Sequence, residues 1–215
     1  MRGGRATKAQ QYALETLSGK YCIPFNDTPL DFSTVFNNEN PVTIEIGFGM
    51  GSATAEIACA NPKKNYIGIE VFRAGIGRLL WEIERRSLNN VRIIEYDAVS
   101  AIEKMLPDCA SSGGVEAFHI FFPDPWPKKK HNKRRLVKRP FTDMLSLKLK
   151  NGGYIYMVSD CEDYCNFALS ELSATPALRN VYEKFAPAQE WRPLTKFEKK
   201  GLSHGSAIKE LLFVK

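Results

Sequence analysis

Short apolar runs rich in β-branched residues alternate with segments of helical spacing through most of this 215-residue chain. The strand-like runs are Val42–Ile46, Tyr66–Val71, Val91–Tyr96, Ala117–Phe122 and Tyr154–Val158. The helical segments are Ser52–Ala60, Arg73–Ser87, Ser100–Leu106, Phe141–Lys150 and Glu162–Ser173. Because parallel strands need a crossover connection, which is usually a helix, this alternation predicts a mostly parallel α/β sheet with helices on both faces.

Both ends of the chain depart from this alternation. Val181–Phe185 and Ile208–Val214 are strand-like and have no long helix between them, which predicts an antiparallel C-terminal edge on a seven-stranded sheet. The first forty residues contain a helical pattern around Ala9–Leu17 and the turn-rich stretch IPFNDTPLDF. We therefore expect residues 1–40 to be an N-terminal arm or cap of the same domain, and residues 41–215 to be its body.

A glycine cluster follows the first strand-like run, in the sequence TIEIGFGMGSAT. Gly47, Gly49 and Gly51 lead into a helix that Ser52 or Thr54 opens, so the backbone can turn tightly and bring a ligand to a helix N-terminus. The spacing G-x-G-x-G differs from the dinucleotide fingerprint G-x-G-x-x-G, and alone it is a weak indication of a nucleotide site.

Acidic residues at the ends of successive strands strengthen this indication. Glu70 lies where a carboxylate accepts hydrogen bonds from both hydroxyls of a ribose, and Asp97 lies where one binds an adenine amino group. Glu45 is an acid inside an apolar strand, which is costly unless loop amides or a cationic ligand group face it. Taken singly, each acid is better explained as a helix cap or a loop salt bridge, but together they predict a nucleoside ligand.

The stretch HIFFPDPWPKKKHNKRRL joins a strand end to a lone acid, Asp124, and then to a dense basic block. From this stretch to Arg139 eight cations occur with no acid among them and carry +8, so the rest of the chain carries −2 and the net charge of +6 is due to this block: Lys128, Lys129, Lys130, Lys133, Arg134, Arg135, Lys138 and Arg139. Such a block neutralises the phosphates of a polyanion, so nucleic acid is the expected partner and an anionic membrane surface the second choice. Prolines on both sides of the block argue against an amphipathic membrane helix.

The cysteines and the N-terminus indicate a cytoplasmic protein. The five cysteines are odd in number and include no C-x-x-C pair, so we expect reduced thiols and no metal site. No apolar run reaches about 18 residues, and the sequence MRGGRATKAQ has no apolar segment after its charges. Export and membrane spanning are therefore not expected.

The chain resembles the tRNA (guanine-N(7)-)-methyltransferases, because the motifs EIGFGMG, GIE, DA, FFPDPWPKKKHNKRR, SD and TKFE occur in that family's order and spacing. The resemblance covers nearly the whole chain, and the proline-rich basic motif is its most specific part. Pro127 departs from the His or Tyr that is more usual there. The resemblance implies a Rossmann-like class I fold, S-adenosylmethionine as methyl donor with S-adenosylhomocysteine as product, and nitrogen 7 of a tRNA guanine as acceptor.

The resemblance also implies roles for individual residues, with Asp124 as the catalytic residue beside the methyl donor. The implied cofactor-binding residues are Glu45, Gly47, Gly49, Gly51, Glu70, Asp97, Ala98 and Asp124. The implied substrate-binding residues are Lys128, Asp160, Thr195, Lys196, Phe197 and Glu198. We further expect RNA phosphates to contact Lys130, Lys133, Arg134 and Arg135.

Two residue roles stay open at this point. Guanine presents two adjacent donors on its Watson–Crick edge, which one carboxylate accepts together, so either Asp160 or Glu198 can distinguish guanine from adenine. Trp126 can stack on a base or only pack at the rim of the site. Nitrogen 7 already has an in-plane lone pair, so transfer needs alignment and electrostatic stabilisation but no general base.

Two other functions compete with this interpretation. An amino-group methyltransferase acting on adenine or cytosine carries a tetrad such as N-P-P-Y or D-P-P-W after its fourth strand, which the sequence PDPW resembles. A non-catalytic RNA-binding module accounts for the charge but leaves Glu70, Asp97 and the glycine loop unused. We expect a monomer or homodimer that acts without a metal and without an obligatory partner subunit.

Overall fold

The computed structural model describes residues 6–112, 114–194, 198 and 207–215. The strands form a seven-stranded, mostly parallel sheet with an antiparallel edge, which confirms the predicted fold class. The chain divides into two compact units, Met1–Pro107 and Asp108–Lys215.

The first unit is a parallel three-stranded arrangement with its crossover helices. Its elements are α1 (Lys8–Tyr21), α2 (Phe32–Phe36), β1 (Val42–Ile46), α3 (Ser52–Ala60), β2 (Asn65–Glu70), α4 (Arg73–Arg85), β3 (Val91–Glu95) and α5 (Ala98–Met105). The strand order is β3-β2-β1, and both pairs are parallel. All five residues of β1 are buried, so this strand is covered on both of its faces.

The N-terminal helix α1 packs closely on α4. A Cβ atom at Gly77 of α4 would lie 2.5 Å from the Gln10 carbonyl oxygen, so only glycine permits this approach. The helix begins at a capping box, in which the Thr7 hydroxyl accepts from the Gln10 amide and the Gln10 side chain accepts from the Thr7 amide. At its other end the Tyr21 hydroxyl donates to Glu84 of α4 at 2.6 Å.

The second unit carries the antiparallel edge. Its elements are α6 (Cys109–Ser112), β4 (Val115–Phe121), a 3₁₀ helix (Lys129–Arg134), α7 (Phe141–Lys148), β5 (Leu149–Ser159), α8 (Glu162–Ser173), β6 (Arg179–Asn180) and β7 (Lys209–Val214). Strands β4 and β5 are parallel, whereas β7 runs antiparallel to both β5 and β6. The strand order within this unit is β4-β5-β7-β6.

The prediction of a strand at Val181–Phe185 is wrong. Strand β6 is only Arg179–Asn180, and after it Ala186 forms an isolated bridge with Glu210. The Asn180 side-chain amide donates to the Lys184 carbonyl at 3.0 Å, which closes a local turn over the intervening residues. The apolar and aromatic residues of this stretch are therefore half-buried or exposed on a turn.

Among the described residues, no helix has both the length and the apolar character that crossing a membrane requires. The same residues contain no group of three or more His, Cys, Asp or Glu side chains that could hold a metal ion. All five cysteines are free thiols.

Candidate functional site

The loop between β1 and α3 is built from glycines in the left-handed conformation. The φ angles are 73° at Gly47, 57° at Gly49 and 68° at Gly51. At Gly51 a Cβ atom would also lie 2.6 Å from the Leu79 Cβ atom, so conformation and packing both require glycine. Apart from the neighbouring residues in the chain, no heavy atom of the described residues lies within 4 Å of a Cβ position at Gly47 or Gly49, so this side of the loop has space for a ligand.

The carboxylate of Glu70, the last residue of β2, organises this loop. One oxygen accepts from the Gly49 amide at 2.9 Å, and the other accepts from the amides of Val71 at 2.8 Å and Phe72 at 3.0 Å. These are charge-assisted hydrogen bonds, and a carboxylate can accept about four in total. Glu70 therefore fixes the glycine loop and the start of α4 while it keeps capacity for a ligand hydroxyl.

Glu45 of β1 is a buried carboxyl with a perturbed titration. It is 3% exposed. Burial raises the pKa of Glu45 from 4.5 to about 7, the Thr54 hydroxyl lowers it in part, and the charge of Glu70 raises it further. A cationic ligand group beside Glu45 would favour its ionised form.

Asp97 is the N-cap of α5. Its Oδ1 atom accepts from the Ser100 amide at 3.0 Å and from the Ser100 hydroxyl at 3.1 Å. The cap interpretation that the sequence left open thus applies to this acid. The second carboxylate oxygen of Asp97 is not part of the cap and can accept a hydrogen bond from a ligand. The next residue, Ala98, is half-buried and is the first residue of α5.

An aromatic pair that the sequence reasoning missed lies next to Asp97. The rings of Phe25 and Tyr96 stack with centroids 3.7 Å apart and planes 9° apart, although each residue is more than one third exposed. Phe25 belongs to the turn-rich stretch before α2, so this stack ties the N-terminal residues to the end of β3. The sequence did contain a sign of this pair, because the aromatic Tyr96 comes immediately before Asp97, a predicted cofactor-binding residue.

In the second unit, two exposed carboxylates follow neighbouring parallel strands. Asp124 lies in the loop after β4, and Asp160 directly follows β5. The strands pair in register as far as Phe121 and Val158, and the Phe122 amide donates to the Val158 carbonyl at 2.8 Å. Neither carboxylate has a hydrogen bond or ion pair within the part of the chain that the structure describes. Both are therefore available to a substrate at the same edge of this unit.

The basic segment, which we define as Lys128–Arg135, contains the 3₁₀ helix. Five of its cations are exposed: Lys128, Lys129, Lys130, Lys133 and Arg134. The Arg134 guanidinium lies 4.9 Å from the centre of the Trp126 ring, and the His131 ring meets the same ring edge-on at 5.9 Å. Trp126 therefore packs against the segment's own residues and supports its shape.

Arg135 has a different role from the predicted phosphate contact. Its side chain is 1% exposed, and its guanidinium pairs with Asp163 of α8. Its Nε atom donates to the Pro125 carbonyl at 3.0 Å, and the guanidinium lies 5.1 Å from the ring centres of Tyr164 and Phe167. Because the cation is buried and partnered, Arg135 anchors the basic segment to α8 and is not placed to meet a phosphate.

Glu198 also differs from its predicted role as an open substrate residue. It is 3% exposed, and its two oxygens accept from Nη1 and Nη2 of Arg192 at 2.5 and 2.6 Å. Arg192 Nη2 also donates to Glu210 of β7 at 2.7 Å, and Glu210 accepts from the Tyr156 hydroxyl. Glu198 is buried and paired with a cation, whereas Asp160 is exposed, so Asp160 is the more accessible of the two candidates for the guanine edge.

The buried network around Arg192 was missed from the sequence. Glu210 is a lone acid in the apolar run Ile208–Val214, the same signal that singled out Glu45, and it indicated a buried partner cation. The predicted substrate residues Thr195, Lys196 and Phe197 lie outside the described residues.

Comparison with known sequences gives matches over almost the whole chain. A family model described as "Putative methyltransferase" matches residues 39–211. The tRNA (guanine-N(7)-)-methyltransferase of Francisella philomiragia is 46% identical over 215 residues, which are 100% of this chain and 92% of the relative. The enzyme of the same name from Bordetella pertussis is 45% identical over 213 residues, which are 99% of this chain and 82% of the relative.

Comparison with solved structures gives more distant matches. The 16S rRNA methyltransferase KamB has a TM-score of 0.61 and 11% identity, with 86% of this chain and 92% of that chain covered. A SAM-dependent O-methyltransferase from Thermotoga maritima has a TM-score of 0.53 and 16% identity, with 86% of this chain and 63% of that chain covered. At these identities the likeness shows the fold alone.

Proposed function

The chain belongs to the tRNA (guanine-N(7)-)-methyltransferase family, and from this premise we propose that it methylates nitrogen 7 of a guanine in tRNA with S-adenosylmethionine as donor. The observation that carries the proposal is the glycine loop, which is open at Gly47 and Gly49, where Glu70 holds the Gly49 amide and Glu45 is buried in the adjacent strand. This arrangement has no use in a module that only binds RNA.

The residues of the first unit fit the chemical groups of S-adenosylmethionine. Glu70 would accept from a ribose hydroxyl, and the second oxygen of Asp97 would accept from the adenine amino group. The cationic amino-acid end of the cofactor would hold Glu45 ionised, and the open side of Gly47 and Gly49 leaves room for the chain of that end. When bound, the cofactor supplies an electrophilic methyl group.

The second unit would bind and activate the guanine. Asp160 would accept from the two donors of the Watson–Crick edge, a geometry that adenine does not offer. Methylation at nitrogen 7 leaves the purine cationic and makes that edge more acidic, so the hydrogen bonds to Asp160 strengthen as charge develops. Asp124 would stabilise the same developing charge as the catalytic carboxylate.

Glu70→Ala is expected to weaken S-adenosylmethionine binding by about 1.5–3 kcal/mol for each strong hydrogen bond to the cofactor that the variant cannot make. The structure adds a second cause, because the variant also releases the Gly49 amide. Affinity for tRNA should stay nearly unchanged. Calorimetry with both ligands measures this, and an unchanged cofactor affinity would remove Glu70 from the ribose site.

Cofactor affinity is expected to rise with pH as Glu45 ionises. The pKa of Glu45 is about 7 in the unliganded protein, and a cationic ligand prefers the carboxylate. Affinity should therefore rise by up to roughly tenfold per pH unit between about pH 5 and 7. The same shift makes the unliganded fold less stable as the pH rises from 4.5 towards about 7, since the folded state binds more protons than the unfolded state there.

The matched control is Glu45→Gln, which keeps the size of the side chain and removes its titration. Isothermal titration of S-adenosylhomocysteine across this pH range compares the two proteins. A parent profile as flat as that of Glu45→Gln would show that the cofactor's cationic end does not face Glu45.

Replacing Lys130, Lys133 and Arg134 with glutamine is expected to weaken tRNA binding. If these exposed cations bind phosphates, each of them releases counterions, so the slope of log affinity against log salt should fall by up to roughly 0.7–0.9 for each phosphate that the variant no longer binds. Arg135→Gln is the comparison, because it removes the same charge from the same segment but from a buried position. It should lower stability and leave the salt slope nearly unchanged. If the parent and the triple variant show the same slope of log affinity against log salt, the basic segment is only a solvated surface and does not bind phosphates.

The proposed reaction is tested by the identity of the modified nucleoside. The protein is incubated with unmodified tRNA and methyl-labelled S-adenosylmethionine, and the RNA is then digested to nucleosides. We expect the label in 7-methylguanosine. Label in a methylated amino group of adenosine or cytidine would support the competing amino-group methyltransferase, and absence of transfer would support the RNA-binding module.

A further inference from the structure

Helix α4 carries a cluster of arginines around an exposed tryptophan that none of the roles above involves. The guanidinium groups of Arg78 and Arg85 lie 4.5 and 4.9 Å from the centre of the Trp81 ring. Positions three and four apart on a helix are neighbours, so the three residues share one face of α4. A planar guanidinium against an aromatic ring makes a cation–π contact that holds the arginine side chain in place.

Among the described residues, the acid that pairs with the arginines of this cluster is Glu82, and its one negative charge does not neutralise them. Glu82 is buried, and its oxygens accept from Arg78 at 2.6 Å, Arg85 at 2.7 Å and Arg86 at 2.9 Å. Burial raises the pKa of Glu82, but the hydrogen bonds from Arg85 and Arg86 and the charge of Arg78 outweigh it and lower that pKa. The carboxylate is thus ionised at neutral pH, and three guanidinium groups around one negative charge leave an excess positive charge.

The cluster is exposed and already ordered. The side chains of Arg78 and Arg85 are 43% and 48% exposed, and Trp81 is 38% exposed. A guanidinium has five N–H donors, and each of these two arginines donates one of them to Glu82, so donors remain on the exposed side. Because Glu82 and Trp81 hold both arginines, a ligand that binds them orders few additional rotamers.

We propose that Arg78, Trp81 and Arg85 form a second surface on which this protein contacts the phosphates of its tRNA. The inference rests on the proposed function and extends it, because it places RNA contacts on the first unit in addition to the basic segment of the second. A paired guanidinium fork matches the oxygens of a phosphate, and RNA supplies that group repeatedly along its backbone. Three guanidinium groups share one carboxylate on this helix, so the exposed face carries an excess of positive charge that a phosphate can neutralise.

The test is filter binding of unmodified tRNA at several salt concentrations by the full chain and by Arg78→Gln/Arg85→Gln. The double variant is expected to bind tRNA several-fold more weakly and to show a salt slope that is shallower by roughly 0.7–0.9 for each phosphate that it no longer binds. Its affinity for S-adenosylhomocysteine should match that of the parent, which also shows that it is folded. The control Lys63→Gln/Lys104→Gln removes two exposed charges from the same unit and should leave the salt slope unchanged.

A second variant separates charge from geometry. Arg78→Lys/Arg85→Lys keeps both charges but loses the planar forks, so it should keep the parent's salt slope and bind tRNA more weakly. The proposal is overturned if Arg78→Gln/Arg85→Gln binds like the parent, or changes no more than the Lys63→Gln/Lys104→Gln control does. Failure of the proposed function has a separate signature, namely a parent protein that binds tRNA but transfers no methyl group to it.

Discussion

Asp124→Ala is expected to abolish most methyl transfer and to leave a folded protein that still binds tRNA. The carboxylate is exposed and makes no internal hydrogen bond or ion pair within the described residues, so the fold does not depend on it. Its proposed role is to stabilise the positive charge that develops on guanine, and loss of one such electrostatic group typically costs about 10²–10³-fold in turnover. Single-turnover methylation at saturating cofactor and tRNA measures the loss.

The matched control for Asp124 is Glu183→Ala, which removes an exposed carboxylate from the turn after β6 in the same unit. This control should keep parental turnover, and both variants should keep the parental affinity for tRNA. If Asp124→Ala turns over at close to the parental rate, Asp124 is only an acid on an exposed loop.

Arg192→Met is expected to be the most destabilising single substitution considered for this protein. It removes the cation that donates to both Glu198 and Glu210, two carboxylates that are each 3% exposed. Breaking a buried ion pair in this way typically costs about 3–5 kcal/mol. Urea unfolding of the parent and the variant measures the difference, and Arg179→Met on the exposed β6 strand is the control.

A triple variant tests the reason for this loss. Arg192→Met combined with Glu198→Gln and Glu210→Gln removes both buried negative charges together with the cation, so no ionised carboxylate loses this partner. It should recover part of the stability that Arg192→Met alone loses, because the three side chains interact directly and their effects are not additive. A loss below about 1 kcal/mol for Arg192→Met would contradict the charged network itself.

The regular elements of this fold were predictable because burial imposes a period on them. The alternation of apolar strands and helical segments predicted β1 with the bounds that are observed. It predicted the antiparallel β7 with a start only one residue too early. The position of the short β6 was predicted wrongly because a hydrogen bond from the Asn180 side chain closes a turn after it. A pattern of apolar and polar residues does not reveal such a hydrogen bond. The helix after the basic segment ends at Lys148, two residues before its predicted end, because Leu149 already pairs with Val115 in the sheet.

The candidate site was predictable to the level of the strand that carries each residue, but not to the direction of each side chain. Acids at strand ends follow from topology, which is why Glu70, Asp97 and Asp160 lie where the sequence places them. In irregular segments, tertiary contacts decide which way a side chain points. Arg134 and Arg135 are adjacent and chemically identical, yet only Arg135 meets Asp163 on α8 and becomes buried.

The most direct test of the proposed function replaces the acceptor atom itself. A tRNA transcript in which every guanosine is 7-deazaguanosine keeps the Watson–Crick edge that Asp160 would bind and lacks nitrogen 7. Filter binding first establishes that the protein binds both transcripts, and transfer from methyl-labelled S-adenosylmethionine is then compared. Methylation at nitrogen 7 predicts incorporation into the ordinary transcript and none into the 7-deazaguanosine transcript. Equal incorporation into both would show that the methyl group goes to another atom and would contradict the assignment.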